Sequence, residues 1–114
     1  MKQCNTKKWE SKQAFKNEVY LYAQKLDVSI KQVVMRSMAN KWASCSTTGY
    51  FTFNIDLLDM DRSLGRYVIL HELLHFFAPN HGKLWKSLMT LYMPNHEKNA
   101  KRLKAFYLSH SEHR

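Results

Sequence analysis

Residues 71–81 read HELLHFFAPNH, three histidines and one glutamate inside an otherwise apolar run. An unpaired carboxylate buried in such a setting costs several kcal/mol or more, so these polar groups need partners or a ligand. On a helix, positions four apart share a face, which puts His71 and His75 together one turn apart. Two imidazoles at that spacing can bind one Zn²⁺ through ring nitrogens at about 2.0–2.1 Å. Glu72 stands about 100° round the helix, poorly placed as a ligand but within reach of a water beside the metal. Pro79 stops the helix, and a chain turning back after Ala78 can bring His81 to the same ion as third ligand.

Three neutral imidazoles leave zinc its 2+ charge and an open fourth position. That charge lowers the pKa of a bound water from 15.7 toward roughly 7, and Glu72 is then the general base. A closed structural site would need a fourth ligand from His96 or Glu97, since neither Cys4 nor Cys45 has C-x-x-C spacing. The pattern reads as a hydrolase site.

Working outward, residues 61–77 form the metal-binding helix, capped near Asp61–Ser63. Residues 83–92 make another helix with Leu84, Leu88 and Leu91 in a row, and Pro94 separates it from a basic helix over 95–108. Upstream, Phe15, Val19, Tyr22 and Leu26 form one stripe of a helix over 11–26. The β-branched stretch 30–38 and the alternating YFTFNI of 50–55 read as strands, with a polar turn at 44–49. The expected fold is α+β, a single domain over 1–114: an N-terminal helix, a small antiparallel sheet, the metal-binding helix and two C-terminal helices.

The chain has 114 residues, long enough for one core but not two. No apolar stretch follows the N-terminal lysines as in a secretory signal, and no run is long enough to span a bilayer. A cytoplasmic protein with free thiols, not acting at a membrane, is the expectation, with oligomeric state open. The net charge of +9 is uneven. Residues 1–48 hold nine basic against three acidic side chains and 82–114 seven against two, around a mildly acidic middle. Such flanks suit weak, salt-sensitive nucleic-acid binding, with Lys98, Lys101, Arg102 and Lys104 the densest cluster, or they are simply a solvated face.

KWASCSTTGYFTFNIDLL at 41–58, YVILHELLHFFAPNH at 67–81 and LWKSLMTLYMP at 84–94 together resemble the YgjP-like metallopeptidase domain. They are similar more distantly to the SprT and WLM metalloproteases. The resemblance implies a minimal zincin-like fold, a peptide or protein substrate, and His71, Glu72, His75 and His81 at the site. By the same resemblance a peptide adds to the edge of strand 50–55 and aligns a carbonyl with the metal. Lys41 and Ala43 stand where Arg and Gly are usual, and Arg66 where an acid is usual. Trp42, Trp85, Tyr50 and Tyr67 read as core, the two tyrosines with an oxyanion hydrogen bond as the other use, and Cys45 as a packed thiol.

The expected function is therefore a zinc-dependent hydrolase acting on amide bonds. Two other readings use the same residues. One aims the zinc site at a nucleotide phosphoanhydride. The other is a non-catalytic, zinc-stabilised nucleic-acid-binding module, which would have no use for Glu72 at that offset.

Overall fold

The computed structural model describes residues 8–75 and 82–111, the last six by backbone alone. Helix α1 spans Lys12–Leu26. Ser11 opens it, its hydroxyl accepting from the Ala14 N–H at 3.1 Å. Asp27 closes it in the left-handed region (φ 59°), its N–H turned back onto the carbonyls of Ala23 and Gln24. Phe15, Val19 and Leu26 are buried as the stripe predicts, joined by Ala23, while Tyr22 is half-buried. The 3.6-residue period moves the buried line off Tyr22.

Three strands follow: β1 (Gln32–Arg36), β2 (Ala43–Cys45) and β3 (Tyr50–Asn54), in spatial order β1-β3-β2. The sheet is mixed rather than antiparallel, because β1 and β3 run parallel and only β2 opposes β3. The extra strand is the reason. Three residues that read as the edge of a polar turn pair with β3 as a hairpin, and the hairpin reverses the chain a second time. Its turn suits the sequence: Gly49 takes φ +105°, and the Ser46 hydroxyl accepts from the Tyr50 N–H at 3.2 Å. The Gly49 carbonyl then receives the Lys31 N–H at 2.8 Å, seating the start of β1 beside β3.

The register brings Val33 opposite Phe51 and Met35 opposite Phe53, so one sheet face is apolar and buried. Phe53 meets Phe15 edge-on, centroids 5.2 Å apart, joining sheet to α1. Each fully buried aromatic of this kind contributes about 1.5–3 kcal/mol. At the end of β3, Asn54 is buried and fully used. Its Nδ2 donates to the carbonyls of Met38 and Lys41, both at 3.0 Å, and its Oδ1 caps the 3-10 helix Ile55–Asp59. The loop leading into β2 is thereby tied to the sheet.

Helix α2 (Arg62–Leu74) begins at Asp61, whose carboxylate accepts from both the N–H and the hydroxyl of Ser63. Leu64, Val68, Ile69, Leu70, Leu73 and Leu74 are all buried, more than one face of a helix supplies, because α1 and the sheet cover one side and α3 and α4 another. Gly65 admits the Trp9 indole: a Cβ there would stand 2.6 Å from Trp9 Nε1. Arg66 pairs with Glu18 of α1 at 3.0 Å, giving the residue that departs from the family pattern a local use. Among the described residues no helix is long and apolar enough to cross a membrane.

Helices α3 (Lys83–Tyr92) and α4 (His96–Ser111) complete the fold. The buried face of α3 is Trp85 and Met89, not the leucine row. Leu84 is 56% and Leu91 71% exposed, with only Leu88 half-buried between them. A larger indole one position away took the inward place. On α4, Asn99 and Leu103 are buried, and Asn99 Nδ2 donates to Met93 Sδ at 3.3 Å.

Candidate functional site

Helix α2 presents His71, Glu72 and His75 from its last turn, with His75 as the C-cap residue. The imidazoles of His71 and His75 meet edge-on with centroids 4.8 Å apart. Rings sharing one tetrahedral ion through nitrogens at about 2.0–2.1 Å have centroids roughly 5 Å apart, so the pair fits a shared metal. Trp85 backs both rings, its centroid 5.2 Å from His71 and 6.4 Å from His75. Nδ1 of His71 stands 3.5 Å from Glu72 Oε2, too long for a good hydrogen bond.

His81 and the chain end of the predicted helix at Phe76 and Phe77 lie outside the described residues, as does Cys4. Among the described residues no three His, Cys, Asp or Glu side chains are arranged to hold a metal ion. His96 and Glu97 thus do not complete the pair as the closed-site alternative requires. His96 instead sits beside Thr90, its Nε2 3.3 Å from the hydroxyl. The donor set that remains, two imidazoles with an adjacent carboxylate, suits zinc with a further ligand from outside it.

Cys45 reaches this site from β2. Burial, then the negative charge of Glu72, then a hydrogen bond to that carboxylate push its thiol up to about 11. With its thiol raised in this way, Cys45 is protonated at neutral pH and a poor nucleophile. The chain pattern alone gave the packing of Cys45 but no sign of this partner, 27 positions away. Tyr67, one turn before His71, has its ring centroid 5.8 Å away, and burial raises its phenol above the ordinary value. Tyr50 is exposed at 49% and packs in no core, which leaves Tyr67 as the phenol near the histidines.

His71 and Glu72 form one wall of a cleft of about 380 Å³ between α2, the segment entering β2, and α4. Trp42 is half-buried and lines this cleft, whereas Trp85 is core as expected. Sequence reading missed the contribution of α4, because Leu103 looks like any apolar helix position until its partner is known. β3 is the central strand and cannot accept a peptide at its edge. The edge nearest the cleft belongs to β2, whose Ala43 also lines it. In the basic cluster of α4, Arg102 is turned to Asp61 at 3.4 Å and Lys104 lines the cleft, while Lys98 and Lys101 are exposed.

The same architecture occurs in solved metallopeptidase structures. The metallopeptidase zymogen of Methanocaldococcus jannaschii jannalysin is 30% identical, with 81% of this chain and 93% of that one covered at a TM-score of 0.68. The metallopeptidase zymogen of Pyrococcus abyssi abylysin is 18% identical, covering 80% and 92% at a TM-score of 0.67. No match was found among curated proteins. The family model for the YgjP-like metallopeptidase domain matches residues 4–106. With a histidine pair, a carboxylate and a cleft on the last turn of its central helix, the chain belongs to the YgjP-like metallopeptidase domain family.

Proposed function

We propose that this protein is a zinc-dependent peptidase in which His71, His75 and His81 hold the metal and Glu72 is the general base. The observation that carries it is the joint placement of His71 and Glu72 on the wall of one cleft, with the His75 ring edge-on to that of His71. Zinc, when bound, supplies a Lewis acid that polarises a carbonyl oxygen and makes water acidic near neutral pH. The chain's own residues do the rest. Glu72 accepts a proton at its carboxylate and hands it to the leaving amine. The Cys45 thiol, protonated at neutral pH, stands beside that carboxylate as a neutral group. Tyr67 keeps its proton through the same range and can donate to a developing oxyanion. The β2 edge offers backbone groups to an extended substrate, so the peptide pairs with Ala43–Cys45 rather than with β3.

The test is a peptide-library screen of zinc-loaded protein with Glu72→Gln as control. Hydrolysis should fall at least ~10²-fold in the variant while zinc content stays at about one per chain. His81→Ala should strip the metal and Glu97→Ala should not. Equal turnover by Glu72→Gln and wild type rejects the base, and zinc retained by His81→Ala rejects the third ligand.

A further inference from the structure

The cleft beside Glu72 is chemically two-sided. Its floor is apolar, formed by the buried Val68 and Leu103 and walled by the half-buried Trp42 and Tyr67. Its rim carries two exposed lysines that arrive from unrelated parts of the chain, Lys41 ahead of β2 and Lys104 on α4. Neither lysine makes an ion pair with a described residue. That sets them apart from Arg62, Arg66 and Arg102, each of which has a carboxylate partner. Lys41 is held where it is, because its carbonyl accepts from the buried Asn54 at 3.0 Å. Among the described residues Glu72 is the single acid lining the cleft, and the peptidase reading commits it to proton transfer.

A volume of about 380 Å³ lies within the roughly 300–1,000 Å³ of ligand pockets and has room for a large side chain. An aromatic residue buries about 150–250 Å² in such a place, which supplies affinity but not charge selection. Two ammonium groups at the mouth supply the second. They attract a carboxylate close along the substrate chain and repel a lysine or arginine there.

We propose that this cleft selects peptides bearing a large apolar or aromatic side chain next to a carboxylate, the side chain entering the cleft and the carboxylate resting between Lys41 and Lys104. The carboxylate is either an acidic side chain or a free C-terminus. The proposal rests on the peptidase reading for its occupant, so binding is measured apart from hydrolysis.

Zinc-loaded Glu72→Gln protein is titrated into dye-labelled peptides, read by fluorescence anisotropy at physiological salt. One peptide places Phe before Asp with an amidated C-terminus, a second replaces that Asp by Asn, and a third replaces Phe by Ala. A fourth ends on Phe with a free C-terminal carboxylate. The Phe-Asp peptide should bind several-fold more tightly than the Asn and Ala versions, and the fourth peptide reports whether a chain end serves as well. Lys41→Gln and Lys104→Gln should each remove about 1.5- to 5-fold of the preference for Asp, the range for exposed charge pairs. Both lysines are exposed, so neither change should alter the unfolding midpoint. Ala100→Trp, which fills the cleft from α4, should abolish the preference for Phe over Ala. Equal binding of the Asp and Asn peptides, unchanged preference in both lysine variants, or no binding at all overturns the proposal. If the preferences hold while wild type cleaves nothing in a Glu72-dependent manner, the recognition stands and the peptidase reading falls.

Discussion

The indole of Trp85 meets the imidazole of His71 edge-on, ring centroids 5.2 Å apart and planes at 77°. One buried side chain of α3 thus supports the histidine pair on α2, coupling core packing to the site. Partners that hydrogen-bond a metal ligand from behind are worth about 10- to 100-fold in metal affinity, the ceiling for a ring-packing support. Trp85→Ala should therefore weaken zinc binding by no more than that factor and cost about 3–5 kcal/mol of stability from the cavity it leaves. Zinc titration against a competing chelator and urea unfolding of the metal-free protein read the two effects separately. Unchanged zinc affinity in a variant that is still folded would reject the supporting role.

Asn54 ties the segment carrying Lys41 to the sheet through two carbonyls and one N–H. Asn54→Leu keeps the branched shape but leaves these groups without their partner, at a cost of about 2–4 kcal/mol in urea unfolding. Asn54→Asp keeps the acceptor for the Asp56 N–H yet turns a carboxylate oxygen toward the carbonyls of Met38 and Lys41. It should be destabilising as well, and less so at low pH, where the added acid can be protonated. An Asp variant as stable as wild type at neutral pH would show that the amide donors are not what hold the segment.

Asp61 joins α2 to α4. Burial alone would raise its carboxyl, but the N–H and hydroxyl of Ser63 and the guanidinium of Arg102 outweigh it and hold the group below its usual value. A carboxyl lowered by folding contributes stability above its unfolded pKa, about 3.9, and loses that contribution as pH falls through the folded value. Asp61→Asn keeps a side-chain oxygen for the cap and removes the charge. Wild type should exceed it by at most about 1 kcal/mol at pH 6–7, and the gap should close as pH falls below about 4. A gap that is constant across that range, or that widens in acid, contradicts the assignment.

The features legible in the chain are those set by neighbours within a turn or two. The four-residue spacing of His71 and His75, the cap at Asp61, and the span 83–92 between Gly82 and Pro94 are local events. Each follows from helical geometry and backbone hydrogen bonding before any partner is known. Tertiary structure decided the rest. Whether 43–45 is turn or strand depends on the Phe51–Phe53 backbone that pairs with it, and that pairing places β3 in the centre of a mixed sheet. Leu84, Leu88 and Leu91 are as apolar as a core face, yet Trp85 and Met89 face inward because α2 lies on that side. Lys41 and Lys104 stand 63 positions apart and share one cleft only after α4 packs on α2. Periodicity records which residues can share a surface; which surface is covered, and by what, is settled by contacts that no local pattern encodes.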